Sequence, residues 1–201
     1  MEREAKKILT RNRIREAAIH LFDVKGYEAT TIAEITSIAG VAKGTFFNYY
    51  ESKESIINEL QSNFFKAELR DVNESIPTSL SPLLMEMSRK FAQNVTFPKK
   101  VQAAIFVGIL NNDRSREIHN QTIRDARSLL TPLFRLARQN NEIHSELNDE
   151  QLAAVAIDAY IGAIFTWSIS IDDENVVDHV SVRMMQLYNS LTKQSEVLSN
   201  S

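Results

Sequence analysis

Apolar residues recur every three to four positions along most of this chain and rarely alternate, which is the spacing of helices rather than strands. Ile8, Ile14, Ala17, Ala18, Leu21 and Phe22 share one face of a predicted first helix over 4–24. Gly26 ends it, and Tyr27 can fold back onto the helix end. Ile32, Ile35, Ile38 and Ala39 mark the inner face of a short second helix. After Gly40 and the small apolar link Val41-Ala42, a third helix of about two turns carries Phe46 and Tyr50 inward at i, i+4. Ser52 caps a longer helix over 54–73, through Ile56, Ile57, Leu60, Phe64, Phe65 and Leu69.

The stretch SIPTSLSP (75–82) reads as a loop. Pro82 opens a helix to about 94, and Pro98 opens another through Val101, Ala104, Ile105, Val107 and Leu110. A long amphipathic segment over 114–140 contains Pro132, which should kink or divide it. Asn148 or Asp149 caps a helix over 149–170 that is apolar nearly all round. Asp172 or Asp173 caps the last, over 174–194. The expectation is an all-α protein of nine to ten helices.

Local chemistry sharpens the stretch 31–53. Thr31 and Glu34 have capping-box spacing, and Gly40 accepts the positive φ that ends a helix. Helix, glycine turn and short helix form a helix-turn-helix, whose second helix enters the DNA major groove. Lys43, Thr45, Asn48 and Tyr49 fall on its outer side.

The ordered residues Gly26-Tyr27, Thr30-Thr31-Ile32, Ile35, Ala39-Gly40-Val41, Lys43-Gly44-Thr45, Asn48-Tyr49-Tyr50 and Ser52-Lys53-Glu54 carry a more specific likeness. Over roughly residues 8–60 the chain resembles the DNA-binding segment of the tetracycline-repressor (TetR) family. The resemblance implies a three-helix, homeodomain-like head over 1–53. It implies a helical domain for effector binding and dimerisation over 54–201. It also implies residue roles. Thr31 and Lys53 stand at helix N-termini suited to phosphate. Lys43 reaches phosphate or guanine, and Gly44 lets the backbone approach the groove. Thr45 contacts a base edge or a thymine methyl, Asn48 pairs with adenine, and Tyr49 donates to phosphate. Two positions depart from the family's habit. Ala42 replaces a frequent serine, with a lost cap worth about 0.5–2 kcal/mol. Phe47 replaces a usual tyrosine, keeping the ring at the DNA face without its phosphate donor.

The same resemblance implies a homodimer on a near-palindromic double-stranded operator, paired through the last two helices. Ala156, Tyr160, Ala163 and Ile164 are the interface candidates on one helix. Val180, Met184, Leu187 and Leu191 are those on the other. Periodicity alone leaves open which of these face their own subunit's core. A small-molecule effector is expected in the middle domain, where its binding would release DNA. The candidates to line its site are Phe64, Phe91, Phe106, Leu110, Phe134, Asp158 and Trp167. Asp158 is an acid inside an apolar helix, so it needs a partner; Arg124 or Arg127 can supply one.

Charge fits this division. The net charge is −3, but 1–53 holds nine Lys/Arg against seven Asp/Glu, while 54–201 holds fourteen against nineteen. Arg3, Lys6, Lys7, Arg11, Arg13 and Arg15 form a basic lead-in to the head. With no cysteine, a disulfide or thiolate site is excluded. The four histidines lack metal-ligand spacing, so no metal and no cofactor is expected. No phosphate loop, nucleophile elbow or His–carboxylate set argues for an enzyme. No apolar run approaches a membrane span, and the N-terminus lacks a signal-peptide core, so a cytoplasmic location is expected. The alternative is an all-helical binder of an apolar small molecule with a weak or vestigial head.

Overall fold

Short runs of inward apolar residues, separated by glycine and proline, fold here into two units. The computed structural model describes residues 2–60, 89–90, 92 and 97–192. The helices are α1 (Glu2–Lys25), α2 (Ile32–Ala39), α3 (Lys43–Phe47), α4 (53–60), α5 (Lys99–Asn111), α6 (Asp113–Gln139), α7 (Asp149–Ile169) and α8 (Val176–Thr192). Every described regular element is helical. The expectations for 75–82, for the helix to 94 and for the helix beyond residue 60 lie outside the described residues.

The first unit comprises Met1–Asn63 and Phe97–His119; the second comprises Phe64–Thr96 and Asn120–Ser201. This differs from the division expected at 53/54. The reason is the inner face of α5. Val101, Ala104 and Ile105 are buried in the same core as Ile14, Ala18 and Phe22 of α1, Ile35 of α2 and Phe46 of α3. Apolar periodicity located that face but could not say which core would bury it. The outer side of α5 is apolar too, with Val107 and Leu110 exposed. Ile8 and Ile38 are also exposed rather than inward.

The joints follow local rules. Gly26 has φ +88, its N–H bonds the Phe22 carbonyl, and the Tyr27 ring packs edge-on against Phe22 at 5.1 Å. Pro132 sits inside an uninterrupted α6 instead of dividing it. Its exposed position places the missing hydrogen bond toward solvent.

In the second unit, α7 and α8 pack together. Asn148 caps α7 through a reciprocal bond pair with Gln151. The expected cap of α8 shifts: Asn175, not Asp172 or Asp173, accepts from the Val177 N–H at 2.7 Å. His179, 4% exposed, ties the pair, contacting Glu174 at 2.5 Å and Thr166 at 3.2 Å. By length and hydropathy α7 could cross a membrane, contrary to expectation, but half of that span is buried in the protein, as in a core helix.

Candidate DNA-reading head

The reading surface starts from a capped helix and a glycine turn. The Thr31 hydroxyl accepts from the Glu34 N–H at 3.3 Å and donates to the Glu34 carboxylate at 2.7 Å, which in turn accepts from the Thr31 N–H at 2.9 Å. Glu34 also pairs with Lys25. The Lys25 ammonium and the Thr31 bonds hold the Glu34 carboxyl down to about 2. Gly40 then turns the chain with φ +62. The Arg13 guanidinium donates to the carbonyls of Ala39 and Gly40, so α1 fixes the turn from outside.

Beyond the turn, Ala42 precedes α3 without a side-chain cap, as its methyl dictates. Phe46 is fully buried and Tyr50 nearly so, which orients α3. Burial and the neighbouring Glu59 push the Tyr50 phenol up to about 12. The outward set is Lys43, Gly44, Phe47 and Asn48, all exposed, with Thr45 and Tyr49 half-buried. Phe47 is 49% exposed and packs edge-on against Phe46. One short helix therefore presents a cation, a hydroxyl, an amide and an aromatic ring on one surface. These are the groups that contact phosphate oxygens, base edges and thymine methyls.

Other expected contacts are committed elsewhere. The Lys53 ammonium donates to the Tyr27 carbonyl at 2.7 Å and the Thr30 carbonyl at 3.1 Å. In this geometry it braces the α1–α2 corner rather than waiting for an anion. The basic lead-in is likewise occupied: Arg11 pairs with Glu59 at 2.8 Å, Arg15 with the same carboxylate at 3.8 Å, and Arg13 holds the turn. Sequence counting recorded their charge but not their partners. Arg13 was legible only as part of a charge run, because its role depends on the α1–α2 crossing.

The expected effector residues do not form one described site. Phe64 and Phe91 lie outside the described residues. Phe106 and Leu110 belong to the first unit, with Leu110 67% exposed, while Phe134, Asp158 and Trp167 belong to the second. Phe134 is fully buried, and the Trp167 indole donates to the Glu174 carbonyl at 2.9 Å. Asp158 is not a buried acid: its side chain is 67% exposed, and it pairs with Arg127 at 3.4 Å. The expected partner is right and the expected burial is not.

Most of the residues expected at the interface are covered by their own chain. Ala156, Tyr160, Ala163, Ile164, Val180, Met184 and Leu191 are buried within the single chain, and Leu187 is half-buried. The face left exposed on α7 runs Gln151, Val155, Asp158, Gly162, Phe165 and Ile169. This is a four–three spacing, the seam of a helix meeting another helix. On α8, Val182 and Met185 are exposed.

The head and its flanking helices define a helix-turn-helix DNA reader. Comparison with known proteins shows what it is similar to. The profile described as "Bacterial regulatory proteins, tetR family" matches residues 14–60. The chain is 28% identical over 82 residues to the HTH-type transcriptional repressor DhaR of Mycobacterium sp. (strain GP1), a match spanning 41% of each chain. It is 27% identical over 159 residues to the HTH-type transcriptional regulator YhgD of Bacillus subtilis (strain 168), covering 77% of this chain and 82% of that one. Among solved structures, Thermus thermophilus FadR, a TetR-family repressor in complex with lauroyl-CoA, superposes with TM-score 0.64 at 22% identity. That superposition covers 92% of this chain and 97% of FadR. Residues 14–60 thus match the tetR family of bacterial regulatory proteins, and the chain as a whole is similar to an HTH-type transcriptional regulator and shares the fold of a TetR-family repressor.

Proposed function

We propose that this chain acts as a homodimeric repressor that binds a near-palindromic operator and leaves it when a small molecule occupies the second unit. The observation that carries the DNA part is the outward surface of α3. Lys43, Thr45 and Asn48 face away from the core that Phe46 and Tyr50 anchor, and the half-buried Tyr49 packs against the edge of that core. Lys43 and Tyr49 supply phosphate contacts; Thr45 and Asn48 read base edges, and Gly44 admits close approach. Thr31 places the N-terminus of α2 against the backbone of the duplex. Lys53 acts indirectly, by holding the corner on which α2 stands.

Dimerisation uses the exposed seam of α7, with Val182 and Met185 of α8 beside it. Val155, Phe165 and Ile169 are 38%, 41% and 59% exposed, a row of apolar surface that a second copy would cover. Gly162 lies mid-seam, and a Cβ there would meet nothing within 4 Å in its own chain. A glycine in such open space suits close approach of a partner helix.

FadR's lauroyl-CoA complex supports effector responsiveness as a class, and the second unit's buried apolar set supports an effector with an apolar part. The ligand acts only through its preference for one state over the other. The test is binding to DNA flanking the chain's own coding region, and to duplexes selected from a random library. Saturable, salt-dependent binding with a two-fold symmetric consensus is expected. Failure to enrich any sequence would remove the repressor reading.

A further inference from the structure

A cavity of about 240 Å³ opens within the first unit, where the α1–α2 corner meets α4, the end of α5 and the start of α6. Its apolar floor is made by the buried Ile57, by Gly108 and by Val107, which is itself 42% exposed. Gly108 lets that floor close, because a Cβ there would stand 2.8 Å from the Ile57 side chain. The walls carry the amides of Asn58, Asn111 and Asn112, the oxygens of Asn58 and Asn112 already accepting from Ser115. The carboxylates of Glu28 and Glu54 complete the rim, and its described lining contains no Lys or Arg.

The acidic side of the rim is organised. The Tyr27 hydroxyl donates to Glu54 at 2.9 Å. Burial, reinforced by Glu54, pushes the Tyr27 phenol well above its usual range, so it remains a neutral donor. Burial opposes ionisation of Glu54, but bonds from Ser52, the backbone and Tyr27, with the nearby Lys53 charge, outweigh it, and the carboxyl is held below its ordinary value. The corner already accommodates one ammonium: Lys53 stands 4.1 Å from the centre of the Tyr27 ring and donates to two carbonyls. Two carboxylates on one rim, neutral amides and an apolar floor suit a cation with a short hydrocarbon chain.

We propose that this cavity is a small-molecule site for an aliphatic amine. The ammonium is held at Glu28 and Glu54. The chain lies over Ile57 and Val107, and the asparagine amides take a second polar end. Such a ligand would tie the α1–α2 corner to the α5–α6 corner, the base of the reading head. The site is independent of the effector proposed for the second unit and does not require DNA binding.

The test is calorimetry on the full chain with putrescine, and with butanediol as its neutral match, at neutral pH and constant ionic strength. Saturable binding of putrescine alone is expected. Glu28→Gln should weaken it on the order of tenfold, the loss of one charge-assisted bond. Asn111→Trp, at an exposed position, should fill the cavity and abolish binding while leaving the unliganded melting temperature unchanged. If Asn111→Trp melts early, Glu28→Gln alone decides. Absence of saturable binding, equal binding of butanediol, or a Glu28→Gln variant that binds like the parent would overturn the site.

Discussion

The Lys53 ammonium donates to the carbonyl of Tyr27 at 2.7 Å and also lies over that residue's ring. One side chain thus closes the α1–α2 corner from α4. Hydrogen bonds from a charged donor contribute about 1.5–3 kcal/mol. Lys53→Ala should therefore lower unfolding free energy in urea by about that amount. Its DNA binding, measured where the variant is folded, should keep the parent's salt slope. A flattened slope with unchanged stability would make Lys53 a phosphate contact instead.

Gly40 and Gly26 both hold positive φ, at +62 and +88, but their surroundings differ. A Cβ at Gly40 would meet the Arg13 guanidinium at 2.7 Å, whereas at Gly26 it would meet nothing within 4 Å. A left-handed alanine costs about 1–2 kcal/mol at either site. Gly40→Ala should lose more, because Arg13 must also leave the Ala39 and Gly40 carbonyls. Paired denaturation curves check this; equal losses would deny Arg13 its part in the turn.

Glu34 supplies a pH dependence with a definite sign. Its folded value is about 2, depressed from an ordinary value of 4.5. Its contribution is complete above about 4.5 and fades as pH falls toward 2. The stability profiles of the parent and Glu34→Gln should stand apart at neutral pH and converge across that window. Profiles that stay parallel from neutral pH down through the window would show that the Lys25 and Thr31 contacts do not set this carboxyl.

The local grammar of the head was legible because each signal is short-range. Thr31 with Glu34, Gly40 in the left-handed region, uncapped Ala42 and buried Phe46 all follow from neighbours within a few residues. What depended on distant partners was not. Lys53 and Arg13 look like free cations in the sequence, and only the helix crossings reveal the carbonyls they bind. The α5 face at Val101 and Ile105 was visible, but not the core it joins. In α7, a helix apolar on all sides, periodicity could not separate Ala156 and Tyr160, which are buried, from Val155 and Phe165, which are exposed. Asp158 misled for the same reason: an acid in an apolar helix suggests burial, yet it falls on the exposed seam.

That seam gives a further prediction. Phe165→Asp and Gly162→Leu alter exposed positions, and at Gly162 a Cβ would meet nothing within 4 Å in its own chain. Each should shift the chain from dimer toward monomer in light scattering while leaving helical content unchanged. Phe165→Asp should do so more strongly, since it places a charge in an apolar contact. Dimers that persist in both variants would place the interface elsewhere.

The central claim is that α3 reads DNA through Lys43. The direct measurement is the dependence of operator affinity on salt for the parent, Lys43→Ala and Asn48→Ala. A single lost phosphate contact flattens the log–log slope by about 0.9. Lys43→Ala should show that change, whereas Asn48→Ala should keep the parent slope and lose discrimination among sequences. If Lys43→Ala instead matches the parent in both slope and affinity, α3 is not the surface that meets the duplex.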